Sequence, residues 1–489
     1  MRLFHHHTPP QSHPEAENDM TDFLLLLPLL IVGVGAILLM LLAAFDNVEK
    51  EVASYGGMAV FLLAFIAQLA VVTTGDTVIF VHIFNSMMVG NTFTQVAGLI
   101  ITACGFFTCM ISHSYFRQNR FFQLEYYALT AFAACGMLLL TMAQELITAF
   151  IALEIMSLAI YVLVGMQRNN VRATEAVLKY LVLGAFAGGF YTMGSAMMYG
   201  GASSTHFSII GEVIAAGGFF DQPLLVVGSL LILVALLFKV AAFPFHAWVV
   251  DVYDGAALPV TGFMATALKV AVFALFANFL TLDSGLQAGW VEYLFYIAVF
   301  TMFAGNLIAI GQNTLKRMLA ASGIVHSGYL LVALVAFTSR DFTGSILLYY
   351  LAAYAVATLG MFCALSYLSG EGEKRQKFED FKGLAKVRPY SAAAITVFLL
   401  SMAGLPPTVG FMGKLYIIIN AIHAEQSMLA ALAIVSSVIS MWYYLRLVIT
   451  MYFYEAQDDF VTESSPFAPL CTFVLVVCVF AFSLLPLGI

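Results

Sequence analysis

Runs of about 20 apolar residues follow one another almost end to end from Phe23, and a helix of that length spans a bilayer core about 30 Å thick. Hydrophobic residues make up 62% of the 489 and charged residues 10%, with a mean hydropathy of +0.95, which leaves no room for a sizeable water-soluble domain. The runs are too long and continuous for strands of a membrane barrel. Within lipid every backbone N–H and C=O must be satisfied inside the protein, so helices remain. The chain reads as an all-α polytopic membrane protein with about fourteen transmembrane helices: 23–45, 52–73, 93–115, 121–143, 145–166, 173–199, 223–250, 257–281, 290–311, 314–337, 343–369, 389–423, 427–454 and 465–486. The stretch 77–91 is of mixed polarity and is read as lying along the membrane interface.

Two of these spans contain helix breakers: Phe243-Pro244-Phe245 in the seventh, and Gly404-Leu405-Pro406-Pro407 in the twelfth. Proline removes a helical hydrogen bond and clashes with the preceding turn, so both helices are expected to be interrupted near mid-membrane. The breaks lie five spans apart, an odd number, so spans 4–8 and 9–13 run in opposite senses, as in an inverted repeat. The resulting organisation is a disordered extension over 1–19, helices 1–3 over 20–120, a first five-helix repeat over 121–281, a second, inverted one over 290–454, and a last helix over 465–489. With both termini outside, thirteen of the 20 Lys and Arg, Lys316 and Arg317 among them, fall in cytoplasmic loops, and only Arg2 and Arg340 outside. The positive-inside rule favours that orientation.

The six cysteines are scattered through apolar segments without a CxxC or Cys/His cluster, and no Gly-rich phosphate loop is present. The expectation is a chain with no redox centre, no metal site and no nucleotide hydrolysis. His5, His6 and His7 could bind a metal, but their polar, Pro-containing surroundings read as a disordered tail.

Charges inside the spans carry the functional signal. Lys179, Lys239, Lys269, Lys414 and Arg446 are basic residues within apolar spans, and Glu154 lies nine residues into the fifth. A charge at mid-membrane costs at least roughly 2.5–3.5 kcal/mol, so several in one chain point to an ion pathway. Glu154 needs a partner or a proton, and a Glu–Lys pair that opens and closes can move protons; a static pair holding helices together is the plain alternative. Lysine suits a relay because it releases a proton once desolvated, whereas arginine holds it. Lys179, six residues into its span, could also snorkel to the surface, and Arg446 reads as an aromatic-stacked or capping residue. His326, central in the tenth span, and His246, two residues after Pro244, are the histidines placed to shuttle protons, although a lone helix histidine is commonly a packing residue.

The run FKVAAFPFHAWVVDVYDGAALPVTGFMATALK from Phe238 to Lys269, NTLKRMLAASGIVHSGYLLVA from Asn313 and LSMAGLPPTVGFMGKLY from Leu400 resemble the signature of the antiporter-like subunits of respiratory complex I, NADH:quinone oxidoreductase. The resemblance extends over nearly the whole chain from Met20. Asp251-Val252-Tyr253 followed by Gly255-Ala256 is most similar to the N-type branch, Lys414 argues against the M type, and the lack of a long amphipathic helix after residue 486 against the L type. It implies a fourteen-helix fold with inverted five-helix repeats and broken helices 7 and 12. By motif, Glu154 resembles the helix-5 carboxylate, Lys179 the helix-6 lysine, Lys239 the central helix-7 lysine, Lys269 the helix-8 relay lysine and Lys414 the helix-12 lysine. Two departures, Val249-Val250 before the Asp-Val-Tyr and Ala257 after Gly255-Ala256, bear on the loop's shape.

What the resemblance implies is a proton-translocating membrane-arm subunit in a bacterial cytoplasmic membrane, with both termini periplasmic. Protons would enter towards Lys179 and Lys239, pass Lys269 with help from water and His326, and leave near Lys414. NADH, FMN, iron–sulfur clusters and quinone would belong to other chains, and the partners would be L- and M-type antiporter-like subunits, small J- and K-type subunits and lipid, with no nucleic acid. The alternatives are a cation/proton antiporter component of the Mrp type and a purely structural membrane-arm subunit.

Overall fold

The structure, a computed structural model, describes residues 15–45, 49–74, 81–119, 123–167, 170–281, 284–336, 344–457, 459–460 and 465–484. Helices α1 (Glu15–Ala43), α2 (Lys50–Thr74) and α3 (Thr92–Asn119) pack in sequence, with α1 also against α4 (Glu125–Met142). The helix begins at Glu15, so residues 15–19, expected to be disordered, continue the apolar helix by several residues; residues 1–14, with the three consecutive histidines, lie outside the described residues. Within the stretch 77–91, strands β1 (Val81–Ile83) and β2 (Met88–Gly90) form an antiparallel hairpin with Val81 opposite Gly90. Its β-branched and apolar residues suit a short ladder.

Helices α5 (Leu146–Val164) and α6 (Val171–Ala202) follow, then α7 (Phe207–Gly217) in a segment read from sequence as a connection. Next come α8 (Pro223–Lys239), α9 (Val249–Gly255) and α10 (Leu258–Phe263), which passes through a π turn, Met264–Leu268, into α11 (Lys269–Leu280). The second half holds α12 (Ser284–Ile310), α13 (Leu315–Val335), α14 (Ser345–Leu368), the short α15 (Leu384–Val387), α16 (Pro389–Ala403), α17 (Val409–His423), α18 (Ser427–Phe453) and α19 (Phe467–Ser483). Among the described residues eleven helices, counting Leu258–Leu280 as one, are long and apolar enough to cross a membrane. The other three expected spans, 223–250, 389–423 and 465–486, are occupied by the shorter helices α8 with α9, α16 with α17, and α19.

Burial divides these helices into an inner and an outer set. Leu258–Leu280 and α13 are buried along their whole apolar windows, whereas α6 turns Leu178, Val182, Phe186 and Met193 outward. Lipid is as apolar as leucine, so it cannot drive the inner helices together as water would; close packing and polar contacts between helices have to do so. The inner pair accordingly carries buried polar side chains, Lys269 and His326 among them.

Candidate functional site

Helix α8 stops at Lys239 and regular structure resumes only at Val249, with Pro244 inside the gap. A break of this kind leaves helix-end carbonyls to be satisfied by side chains. Phe238 O accepts from Trp248 Nε1 at 3.0 Å, and Val240 O from Ser327 Oγ at 2.7 Å. Lys239 is buried at this end; its Nζ donates to Ser157 Oγ of α5 at 2.7 Å and lies 5.7 Å from the centre of the Tyr161 ring.

Glu154 does not make the lysine pair expected of it. It lies one turn before Ser157, half-buried in the seam between α5 and α6, with its Oε1 against Gly188, and among the described residues it has no ion pair or hydrogen bond. The reason is the azimuth of α5. Ser157 faces the end of α8, while Glu154 shares a stripe with the outward-facing Ile151 and Leu158.

Lys269 stands at the end of the π turn and is buried. Its Nζ donates to Gly323 O of α13 and to Tyr354 OH at 3.5 Å, and lies 5.0 Å from the centre of the Tyr354 ring. The same ring is 4.7 Å, centre to centre, from the imidazole of His326. His326 Nδ1 is 2.7 Å from Tyr350 OH and Nε2 3.2 Å from Tyr444 OH, which also bonds Ser322 Oγ. Both imidazole nitrogens are thus met by hydroxyls, and each hydroxyl can donate or accept.

The second break repeats the device of the first. Helix α16 ends at Ala403, Gly404 adopts φ +82°, and Thr408 caps α17. The freed Ala403 carbonyl accepts from Lys414 Nζ at 3.0 Å and from Ser437 Oγ at 3.2 Å. Lys414 Nζ also donates to Ser437 Oγ at 3.0 Å and lies 4.8 Å from the centre of the Tyr329 ring, which is 6.2 Å from His326. The geometry thus aligns Lys269, Tyr354, His326, Tyr329 and Lys414 along one buried axis.

Lys179 lies off that axis, at the outer side of α6. Its side chain is 42% exposed and paired with Glu175 at 2.7 Å and Asp251 at 2.8 Å, nine residues or about 13 Å along α6 from the Gly188 that faces Glu154. His246 sits in the first break, stacked on Phe243 at 5.5 Å, with Nδ1 buried and, among the described residues, without a partner in hydrogen-bonding geometry. Arg446 caps and stacks: it donates to Gln312 O at 3.1 Å, and its guanidinium lies 4.4 Å from the Phe378 ring.

Two features escaped the sequence reading. The tyrosines around His326 carry no sequence signal, since they come from α13, α14 and α18. Lys316, assigned to a cytoplasmic loop, is buried in the first turn of α13, 2.9 Å from Glu373 Oε2 and 2.6 Å from Ala256 O. Glu373 Oε1 in turn accepts from Tyr115 OH at 2.7 Å and from Leu258 N at 3.1 Å.

Chemically, Lys239, Lys269 and Lys414 share one property: each ammonium is bonded to neutral oxygens, and among the described residues no carboxylate touches any of them. A fixed counter-ion would hold the charge in place, whereas hydroxyl, phenol and carbonyl partners accommodate either ammonium or amine. Among the described residues no group of three or more His, Cys, Asp and Glu could hold a metal ion.

Residues 143–440 match the profile of a family described as NADH:quinone oxidoreductase/Mrp antiporter, transmembrane. A relative from Sorangium cellulosum, NADH-quinone oxidoreductase subunit N 1, is 38% identical over 452 residues, covering 88% of each chain. Among solved structures, a chain of respiratory complex I from Thermus thermophilus superposes with a TM-score of 0.79 at 30% identity, over 94% of this chain and 97% of that one. A chain of the Mrp complex from Dietzia superposes with a TM-score of 0.80 at 19% identity, over 95% of this chain and 94% of that one, a likeness of fold.

Proposed function

The chain belongs to the NADH:quinone oxidoreductase/Mrp antiporter family of transmembrane proteins, and on that footing we propose that it is a proton-translocating, N-type membrane-arm subunit of complex I. The observation that carries the reading is the buried axis of Lys269, His326 and Lys414, bridged by phenols on helices shielded from lipid. Lys239, held by Ser157 at the first helix break, feeds this axis, and Glu154 biases its charge from a distance. Protons move between these groups through hydroxyls and water, and leave near Lys414.

In this reading the chain crosses the membrane fourteen times, with inverted repeats over 121–281 and 290–454, and lies in a bacterial cytoplasmic membrane with both termini periplasmic. The Lys- and Arg-rich segment 370–388 then faces the cytoplasm, which the positive-inside rule supports. Electron transfer through FMN, iron–sulfur clusters and quinone belongs to partner subunits, and the membrane-arm neighbours are other antiporter-like and small subunits. His246 and Lys179 act at the margins of the path, since neither touches the axis.

The test is Lys239→Met in native membranes, with quinone reductase activity and proton pumping measured together and assembly checked on a native gel. The reading expects both to be lost in assembled complexes. Unchanged proton uptake per electron would sink it.

A further inference from the structure

A polar cavity of about 330 Å³ opens at the end of the molecule that carries the 370–388 segment, and its lining includes Arg172, Asp254, Lys316 and Glu373. Among the described residues Asp254 Oδ1 is buried there with no hydrogen-bond partner, and a buried carboxylate oxygen in a polar cavity of this size is satisfied by water. The Lys316–Glu373 pair is buried at the cavity's edge, with side chains 5% and 10% exposed.

The pair joins the starts of the two fully buried helices. Glu373 takes the backbone N–H of Leu258, which opens the helix bearing Lys269, and Lys316 lies in the first turn of α13. The two helices meet deeper in the protein, where Lys269 donates to Gly323 O, seven residues or about 10 Å along α13 from Lys316. Two of the three Lys316 N–H bonds go to Glu373 and Ala256 O, and among the described residues the third has no partner.

We propose that Glu373 and Lys316 are the proton-loading point of this subunit, taking protons from cytoplasmic water in the cavity and delivering them towards Lys269. Glu373 accepts a proton relayed from the cytoplasm as hydronium through the cavity water, leaving neutral water behind, and its hold on Lys316 weakens. The Lys316 ammonium releases a proton through its third N–H to water on the Lys269 side, and the resulting amine recovers one from Glu373. Both groups return to their starting state and one proton has moved inward. The proposal rests on the translocation reading, and it sets the inlet at α13 rather than at Lys179.

The experiment measures turnover and protons per electron, per assembled complex, for Glu373→Gln, Glu373→Asp and Lys239→Met. Glu373→Gln is expected to cut proton-coupled turnover at least fivefold, with Glu373→Asp restoring most of it. A purely structural pair would lower the amount of assembled complex and leave turnover and stoichiometry per complex unchanged, and that result overturns the proposal. Loss in Lys239→Met with retention in Glu373→Gln removes only the inlet; retention in both removes the translocation reading. If Glu373→Gln does not assemble, Gln376→Cys, whose residue lines the cavity, is treated with neutral thiol reagents of increasing size. Plugging is expected to lower turnover at least fivefold relative to the same complex before reaction, and unchanged turnover after full labelling overturns the proposal.

Discussion

The Lys239 ammonium lies 2.7 Å from the Ser157 hydroxyl, while Glu154, one turn earlier on the same helix, touches neither. The lysine at the first helix break is therefore held by a neutral dipole, and the carboxylate makes no direct contact with it. Mutational consequences should follow that division of roles.

Ser157→Ala leaves a buried ammonium without its hydrogen bond, a loss of roughly 1.5–3 kcal/mol for a bond to a charged group. Since 1.4 kcal/mol is a factor of about ten, turnover per assembled complex should fall about tenfold or more, and Ser157→Thr should recover it. Glu154→Gln should slow turnover less than Lys239→Met. Quinone reductase assays normalised to native-gel band intensity check all three.

At the centre of the axis, His326→Ala removes the partner of Tyr350 OH, and an unmet buried hydroxyl costs about 1–3 kcal/mol, so assembly should weaken. His326→Gln keeps polar atoms near both tyrosines but cannot take up and release a proton at neutral pH. It should assemble and pump poorly, as read by the ratio of protons to electrons in membrane vesicles.

A methyl group at Gly410 would meet Ser401 O at 1.9 Å, and that oxygen belongs to backbone that cannot swing aside. Gly410→Ala should destabilise the second break by roughly 1–3 kcal/mol or more and reduce assembled complex. Gly189→Ala, with nothing within 4 Å of the added carbon, should leave assembly unchanged. Thermal melting of the purified complex separates the two.

Asp251 lies outside the long apolar helices and bridges Lys179 and Arg317 at 2.8 and 3.0 Å. The Lys179 hydrogen bond above all, and Arg317 with it, hold its carboxyl below the usual 3.8, against partial burial. A carboxyl depressed in the folded state contributes stability above its unfolded value, lost as pH falls through the folded one. Asp251→Asn should therefore lower the melting temperature slightly at neutral pH, less at high salt because the bridge is exposed, and the difference should vanish as pH falls through the depressed folded-state value.

Some of this was legible along the chain because transfer into lipid is costed residue by residue. Apolar runs of about 20 residues required helices, Pro244 and Pro406-Pro407 marked the interruptions, and Lys239, Lys269 and Lys414 stood out because a lysine so deep in an apolar run has no cheap explanation. His326 was legible too, from its depth in the tenth span.

Tertiary structure decided which of these groups meet. Lys316, expected in a loop, is buried against Glu373, 57 residues away in sequence, and Lys179 finds its partner in Asp251, 72 residues away. Ser157 rather than Glu154 meets Lys239, and tyrosines from three helices enclose His326. Hydropathy along a chain records the cost of burying each residue; the partner that offsets it depends on which helix faces are turned together, and contacts between distant segments set that rotation.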